Sequence, residues 1–236
     1  MAHKFYDLFP VKKPVIGMIH LAGQNGGEKV RRALEEILIF ENEGINGAII
    51  ENYHGSTLDV VAALSRISER GTKLILGVNI LKDSYRSFEI ANRFGAKFVQ
   101  FDSVQPTDLM LDVYDNMRRM YPSVSVLGGV RFKYTRPTGN PLKKDLNYAM
   151  QICEAVVTTG EGTGMETPIE KLKDFRRLMG DYPLIVGAGL NAENAYWQLG
   201  VADGAIVGSF FKNGDTQKPI DIGRVKKLML EVRKLR

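Results

Sequence analysis

Cysteine, histidine and tryptophan are scarce in this chain of 236 residues, which contains one Cys, three His and one Trp. A single cysteine, Cys153, excludes an internal disulfide framework and suits a reducing compartment. No HExxH, paired-cysteine or clustered-histidine pattern is present, so a tight transition-metal site is not expected. The sequence also contains no P-loop and no GxGxxG dinucleotide fingerprint, and therefore offers no support for a conventional nucleoside triphosphatase.

Long hydrophobic runs are missing as well. No segment approaches the roughly 18 apolar residues of a membrane span, and residues 1–7 lack the apolar core of a signal peptide. The composition, 44% hydrophobic and 25% charged, is that of an ordinary folded protein and excludes disordered and fibrous classes. We therefore expect a cytoplasmic protein with no membrane partner.

The net charge of +5 comes from the C-terminal segment. Residues 224–236 contain six basic residues and one acidic residue, so the rest of the chain is neutral overall. The same segment carries apolar residues at helical spacing, which predicts a basic amphipathic helix over residues 221–236. A helix that docks on the core and exposes its basic face explains the charge. Binding of nucleic acid or of an anionic membrane is the less favoured alternative.

A strand–helix repeat runs through the whole chain. Short apolar runs start roughly 20 to 32 residues apart and predict strands over 15–20, 47–51, 73–78, 97–102, 124–132, 155–158, 184–186 and 205–207. Amphipathic stretches between them predict helices over 28–43, 57–69, 83–94, 107–120, 143–152, 169–179 and 193–199. Near-continuously apolar strands are typical of parallel sheets that are buried on both faces.

Eight such units in 236 residues predict a single (β/α)8 barrel domain over 1–236, with residues 1–12 as a lead-in. An open doubly wound sheet is the alternative. In a (β/α)8 barrel the active site lies at the C-terminal ends of the strands, so polar residues there are the candidates. The candidate catalytic residues are Glu51, Asp102, Lys133 and Glu161. The candidate substrate-binding residues are His20, Asn52, Asn79, Thr163 and Gly164.

The charged candidates allow more than one role. Glu51 and Asp102 could act as acid and base or could bind Mg²⁺, or they could simply pair with Lys133 or Arg131. We expect Lys133, next to carboxylates, to act as a fixed cation, and a Schiff-base role is the alternative. His20 is equally suited to a buried structural role and to substrate contact.

The last two strands end in glycine-rich loops instead of reactive side chains. A phosphate needs converging backbone N–H donors, and glycine lets a ligand approach them closely. In barrels of this type, the loops after strands seven and eight frequently bind phosphate. We therefore predict a phosphate site at Gly187, Gly189, Gly208 and Ser209, with Asn191 as the N-cap of the following helix.

At these same positions the sequence resembles the BtpA/SgcQ family. The matching motifs are 14–21 (PVIGMIHL), 47–52 (GAIIEN), 77–81 (GVNIL), the strand that ends in Lys133, 159–164 (TGEGTG), 187–190 (GAGL) with 193–194 (EN), 202–209 (ADGAIVGS), 219–221 (PID) and 224–225 (RV). The resemblance implies a barrel of the ribulose-phosphate-binding kind. It does not imply one reaction, because some members are named for photosystem I accumulation and others are labelled nucleoside triphosphatases.

The chain departs from the family pattern in three places. Residues 22–27 replace a proline-rich segment, Gly55 stands where an aspartate is usual, and Tyr134 replaces a histidine after the strand-five lysine. The leading hypothesis is a cytoplasmic enzyme that acts on a phosphorylated ribose-like sugar or a nucleotide, as a hydrolase, lyase or isomerase. A non-catalytic ligand sensor or assembly factor is the alternative. The sequence leaves open whether the chain forms a homo-oligomer.

Overall fold

Eight parallel strands close into one barrel in the order in which they occur in the sequence, β1 to β8, with β8 pairing back onto β1. This computed structural model describes residues 4–236. The strands are β1 (Val15–Ile19), β2 (Gly47–Glu51), β3 (Ile75–Asn79), β4 (Phe98–Phe101), β5 (Ser125–Gly129), β6 (Ala155–Thr158), β7 (Leu184–Val186) and β8 (Gly204–Val207). The predicted single-domain (β/α)8 barrel is confirmed, and the open sheet is excluded because β8 pairs with β1.

A layer of helices surrounds the barrel. The helices are α1 (Lys4–Leu8), α2 (Gly26–Glu43), α3 (Thr57–Arg70), α4 (Arg86–Phe94), α5 (Leu111–Met120), α6 (Leu142–Ile152), α7 (Ile169–Met179), α8 (Ala195–Val201) and α9 (Ile222–Arg233). A short 3₁₀ helix (Ser209–Lys212) follows β8. Among residues 4–236, no helix combines the length and the apolar character needed to cross a bilayer.

The barrel interior is filled by alternate residues of the strands, because successive side chains in a strand point to opposite faces. Its lower half is apolar and is built on residues such as Ile16, Ile49 and Phe98. Helix α1 lies within the lead-in, where the sequence predicted no element. Its Phe5, together with Phe9, is buried against this cluster. The bottom of the barrel is therefore closed, and the polar residues at the strand ends face the opposite opening.

Helix α9 lies within the basic C-terminal segment. Val225, Leu228, Met229 and Val232 are buried, whereas the basic residues of the same helix are on its outer side or half-buried. Asp221 forms the N-cap, because its side chain accepts a hydrogen bond from the N–H of Arg224. The apolar stripe thus packs onto the fold.

Strand β5 ends at Gly129, three residues earlier than predicted. A side chain at Gly129 would lie 2.0 Å from the carbonyl oxygen of Asp102, so the backbones of β5 and the β4 end approach closely there. The chain then turns, and Arg131 adopts a positive φ of 49°. Lys133 consequently lies in the loop after β5 and not at the end of the strand.

Helix α8 also begins later than predicted, at Ala195, and its N-cap is Asn194 instead of Asn191. The side chain of Asn191 accepts hydrogen bonds from the N–H groups of Glu193 and Asn194, which forms a turn before the helix. The side chain of Asn194 in turn donates to the carbonyl of Gly189. Helix α8 has only seven residues, and its N-cap Asn194 makes no side-chain capping hydrogen bond.

Candidate functional site

A cavity of about 730 Å³, including space open to solvent, lies at the C-terminal ends of the strands. Most of the predicted site residues line it. They are His20, Glu51, Asp102, Lys133, Thr163, Gly164, Gly187, Gly189, Gly208 and Ser209.

Three predicted residues do not line the cavity. The side chain of Asn52 is half-buried and accepts a hydrogen bond of 2.8 Å from the N–H of Leu81, so it fixes a loop. Asn79 lies beneath the cavity and is 1% exposed. Glu161 is exposed on the surface of the β6–α7 loop, and the structure does not bring it together with Glu51 and Asp102.

Asn79 bridges the two carboxylates at the floor of the cavity. Its Nδ2 donates to Glu51 Oε1 at 2.9 Å and to Asp102 Oδ1 at 3.2 Å. The register of the barrel explains the arrangement, because Glu51 and Asn79 are directly paired residues of β2 and β3. One amide on β3 therefore holds together two acidic groups from the ends of β2 and β4, the strands on either side of it.

The environment raises the pKa of Glu51 to about 8. Burial is the largest cause, and the negative charge of Asp102 adds to it. Lys133 and the hydrogen bond from Asn79 act in the opposite direction. Near neutral pH, Glu51 therefore retains its proton and is able to donate it. A carboxyl group with a pKa near the working pH is suited to general acid–base catalysis.

Gln100 is a site residue that the sequence analysis missed. It is 2% exposed, lines the cavity, and its Nε2 donates to Asp102 Oδ1 at 3.1 Å. The sequence signal that identifies Gln100 is its position in strand β4. Gln100 precedes Asp102 by two residues and follows Phe98 by two, so all three share the inward face of the barrel. A polar residue on that face of an apolar strand marks the site.

Lys133 is half-buried at the cavity, and its backbone is fixed by a hydrogen bond of 2.6 Å from its N–H to Thr159 Oγ1. Its Nζ lies 5.1 Å from the centre of the Phe132 ring and forms no ion pair among the residues described. Lys171, from α7, links the loop after β5 to the loop after β6, since its Nζ donates to the carbonyls of Arg131 and Thr159 at 2.7 and 2.6 Å. The ammonium group of Lys133 is thus available to a ligand.

His20 borders the cavity next to Gly208. Burial lowers the pKa of His20 well below its usual value, and the positive charges of Lys212 and of neighbouring groups that include Lys133 act in the same direction. A side chain at Gly208 would lie 2.6 Å from His20 Cε1, so the imidazole ring occupies the space that glycine leaves. His20 is therefore a neutral group at the cavity wall.

Backbone N–H groups without a protein acceptor follow the two glycine-ended strands, in residues that line the cavity. The N–H groups of Gly189, Gly208 and Ser209 have no hydrogen-bond acceptor within residues 4–236. Gly187 differs, because its N–H donates to the carbonyl of Thr158 at 2.8 Å and is not available to an anion. Three of the four residues predicted to bind phosphate therefore have an N–H group without an acceptor in the described part of the chain.

The glycines in these loops are also required by packing, which the sequence analysis did not anticipate. Gly189 has a φ of +73°, and a side chain there would lie 2.3 Å from Glu166 Cα. Gly164, with a φ of +77°, similarly faces Ser209. The loops after β6, β7 and β8 consequently pack against one another, and this packing sets the positions of the free N–H groups.

Glu51 and Asp102, the two residues considered for Mg²⁺, present carboxylate oxygens to the cavity floor. Asn79 approaches both through its amide nitrogen, which is a donor and not a metal ligand. No group of three or more His, Cys, Asp or Glu side chains that could hold a metal ion occurs in the described part of the chain.

Comparisons with known proteins agree with this architecture. Residues 11–234 match the BtpA family. A protein of Methanocaldococcus jannaschii is 30% identical over 95% of this chain and 97% of its own length. The photosystem I biogenesis protein BtpA of Synechocystis is 27% identical over 93% of this chain and 88% of its own. The phosphoribosyl anthranilate isomerase structure from Thermus thermophilus superposes with a TM-score of 0.67 at 14% identity, covering 94% and 100% of the two chains. The chain belongs to the BtpA family.

Proposed function

We propose that this protein is a cytoplasmic enzyme that acts on a phosphorylated ribose-like sugar or a nucleotide. The phosphate is held by the N–H groups of Gly189, Gly208 and Ser209. Acid–base chemistry takes place at the floor of the cavity, between Glu51 as the acid and Asp102 as the base. Lys133 serves as the fixed cation that stabilises developing negative charge.

The observation that carries this proposal is that one cavity contains both a pair of carboxyl groups and backbone N–H groups without a protein acceptor. A proton-retaining carboxyl group lies beside a second carboxylate on one side, and unpaired N–H donors lie on the other. Pairs of titratable groups whose environments separate their protonation states are typical of acid–base sites. The likeness to phosphoribosyl anthranilate isomerase, whose name describes a phosphorylated substrate, supports the same class of ligand.

A screen of melting temperatures over sugar phosphates, nucleosides and nucleotides tests the first half of the proposal. Phosphorylated compounds should raise the melting temperature through binding to the native state, whereas the matched nucleosides should have a smaller effect. Equal shifts for a nucleotide and its nucleoside would contradict the phosphate site.

Replacement of Lys133 by methionine tests the second half. Methionine keeps an unbranched side chain that is one atom shorter and removes the charge, so turnover of the ligand found in the screen should fall by about 10²–10³-fold. Binding of inorganic phosphate should change by less than about threefold, because the N–H donors are on other loops.

Two further results would contradict the proposal. A covalent adduct at Lys133 after borohydride reduction with the substrate would move the protein to the Schiff-base, aldolase-like class. Tight binding without turnover in the unsubstituted protein would favour a ligand sensor or an assembly factor, the role suggested by the name of the Synechocystis relative.

A further inference from the structure

The floor of the cavity contains more hydrogen-bond acceptors than donors. Four side chains meet there: Glu51, Asn79, Gln100 and Asp102. Together they present six oxygen atoms and only two NH₂ groups. Because Asp102 is an acceptor, the nitrogen of each amide must be the atom that faces it, which fixes the orientation of both amides.

The available donors leave most of these oxygens without a partner. Asn79 Nδ2 is used by Glu51 Oε1 and Asp102 Oδ1, and Gln100 Nε2 is used by Asp102 Oδ1 as well. Asn79 Oδ1 and Gln100 Oε1 are buried and have no partner. Glu51 Oε2 and Asp102 Oδ2 accept no hydrogen bond from the described residues either. Buried acceptors without donors are costly, so a native ligand that supplies donors gains affinity here.

The proton on Glu51 turns one of these four oxygens into a donor, which is not sufficient for the three acceptors that remain. A divalent cation would satisfy several oxygens, but it would meet the ammonium charge of Lys133, which is close enough to oppose the rise in the pKa of Glu51. Hydroxyl groups bring donors without a charge. A compound with two adjacent hydroxyl groups therefore matches the floor better than a cation does.

The floor is open to a ligand from the cavity. Glu51, Gln100 and Asp102 all line it, and only Asn79 lies underneath. The terminal torsion of a glutamine side chain has a broad energy profile, so a small swing of the Gln100 carboxamide presents its oxygen to an incoming hydroxyl group.

We propose that the cavity floor recognises adjacent hydroxyl groups of the ligand, and that Gln100 is a specificity-determining residue for them. This inference rests on the proposed function and narrows its ligand to a phosphorylated compound that keeps a vicinal diol. Different parts of the cavity bind the two groups. The loops after β7 and β8 bind the phosphate, and the ends of β2 to β4 bind the diol.

Calorimetric titrations with D-ribose 5-phosphate, 2-deoxy-D-ribose 5-phosphate and inorganic phosphate at pH 7, without divalent metal, test the inference. The unsubstituted protein should bind the ribose compound at least about tenfold more tightly than the deoxy compound, because loss of one hydroxyl leaves buried acceptors unpaired. In Gln100→Met the difference should shrink to less than about threefold, whereas the affinity for inorganic phosphate should stay the same.

Gln105→Met is the matched control. Gln105 is 3% exposed and both polar atoms of its amide lack partners, yet it does not line the cavity. It should leave the ribose preference unchanged, which separates a loss of hydroxyl contacts from a general effect of replacing a buried glutamine.

The outcomes separate the two levels of the proposal. Equal affinity of the unsubstituted protein for both sugars, with phosphate binding retained, would overturn the inference alone, even if Gln100→Met did not fold. Absence of binding by all three compounds would contradict the proposed function as well. Binding of Mg²⁺ alone that disappears in Gln100→Met would overturn the inference in favour of a cation site.

Discussion

Substitution of Glu51 by glutamine is expected to lower turnover at pH 7 by about 10²–10⁴-fold, the usual contribution of a positioned general acid. Glutamine retains the size of the side chain and can still accept the hydrogen bond from Asn79, but it has no proton to transfer. Affinity for the phosphorylated ligand should therefore change little. Steady-state kinetics with the substrate found in the ligand screen, together with calorimetric titration, measure the two effects separately.

The matched control for this prediction is Glu35→Gln. Glu35 lies on the outer side of α2, is exposed, and pairs with Arg31 one turn before it. Its replacement should leave turnover unchanged within about twofold, since exposed ion pairs of this kind contribute little. Full activity of Glu51→Gln would exclude Glu51 as the acid and return the acid–base role to the other groups of the cavity.

The stability of the protein is expected to fall as the pH rises from 6 to 9, and Glu51 should account for a large part of the loss. The pKa of Glu51 is about 8 in the folded protein and 4.5 as the reference value, so the folded state binds more protons between these limits. Its stabilising contribution is complete below the unfolded pKa and is lost as the pH rises through the folded pKa. Between pH 6 and pH 9 this loss is about 3 kcal/mol.

Urea unfolding at pH 6 and at pH 9 measures this effect. The free energy of unfolding of the unsubstituted protein should fall by about 3 kcal/mol more than that of Glu51→Gln, which cannot ionise. Glu35→Gln should follow the unsubstituted protein. Parallel pH profiles of Glu51→Gln and the unsubstituted protein would show that Glu51 does not hold its proton in the folded state.

The barrel itself could be predicted because its signal is repeated along the chain. Eight apolar runs at regular spacing, separated by amphipathic stretches, are compatible with few other arrangements. The positions of Glu51 and Asp102 followed from the same pattern, because each carboxylate closes an apolar run and the ends of parallel strands meet at one opening. These residues needed no knowledge of loop conformation.

The parts that could not be predicted depend on loops and on pairing between strands. The bridge formed by Asn79 requires the register of β2 and β3, and the role of Gln100 required attention to which face of β4 it occupies. Lys133 lies in a loop because β5 ends where the backbone of Asp102 passes. Glu161 is exposed although Thr163 and Gly164 of the same loop line the cavity, and no local sequence signal distinguishes these positions.

The glycine-rich loops illustrate the same limit. Glycine at positions 187, 189 and 208 is compatible both with a phosphate site and with close packing of neighbouring segments. The close packing is present at all three positions, because a side chain at any of them would clash with a neighbouring residue. Only the hydrogen-bond pattern separates the residues: Gly187 donates its N–H to the carbonyl of Thr158 at the end of β6, whereas the N–H groups of Gly189 and Gly208 have no acceptor in the described part of the chain.

The central claim is that the free N–H groups after β7 and β8 hold the phosphate of the ligand. The most direct test is a titration of ¹⁵N-labelled protein with inorganic phosphate, followed through the amide resonances. We expect the resonances of Gly189, Gly208 and Ser209 to shift together and to saturate with one dissociation constant. The glycines that end helices far from the cavity, Gly71, Gly95 and Gly180, should not move. Stationary resonances at Gly189, Gly208 and Ser209 under saturating phosphate would contradict it.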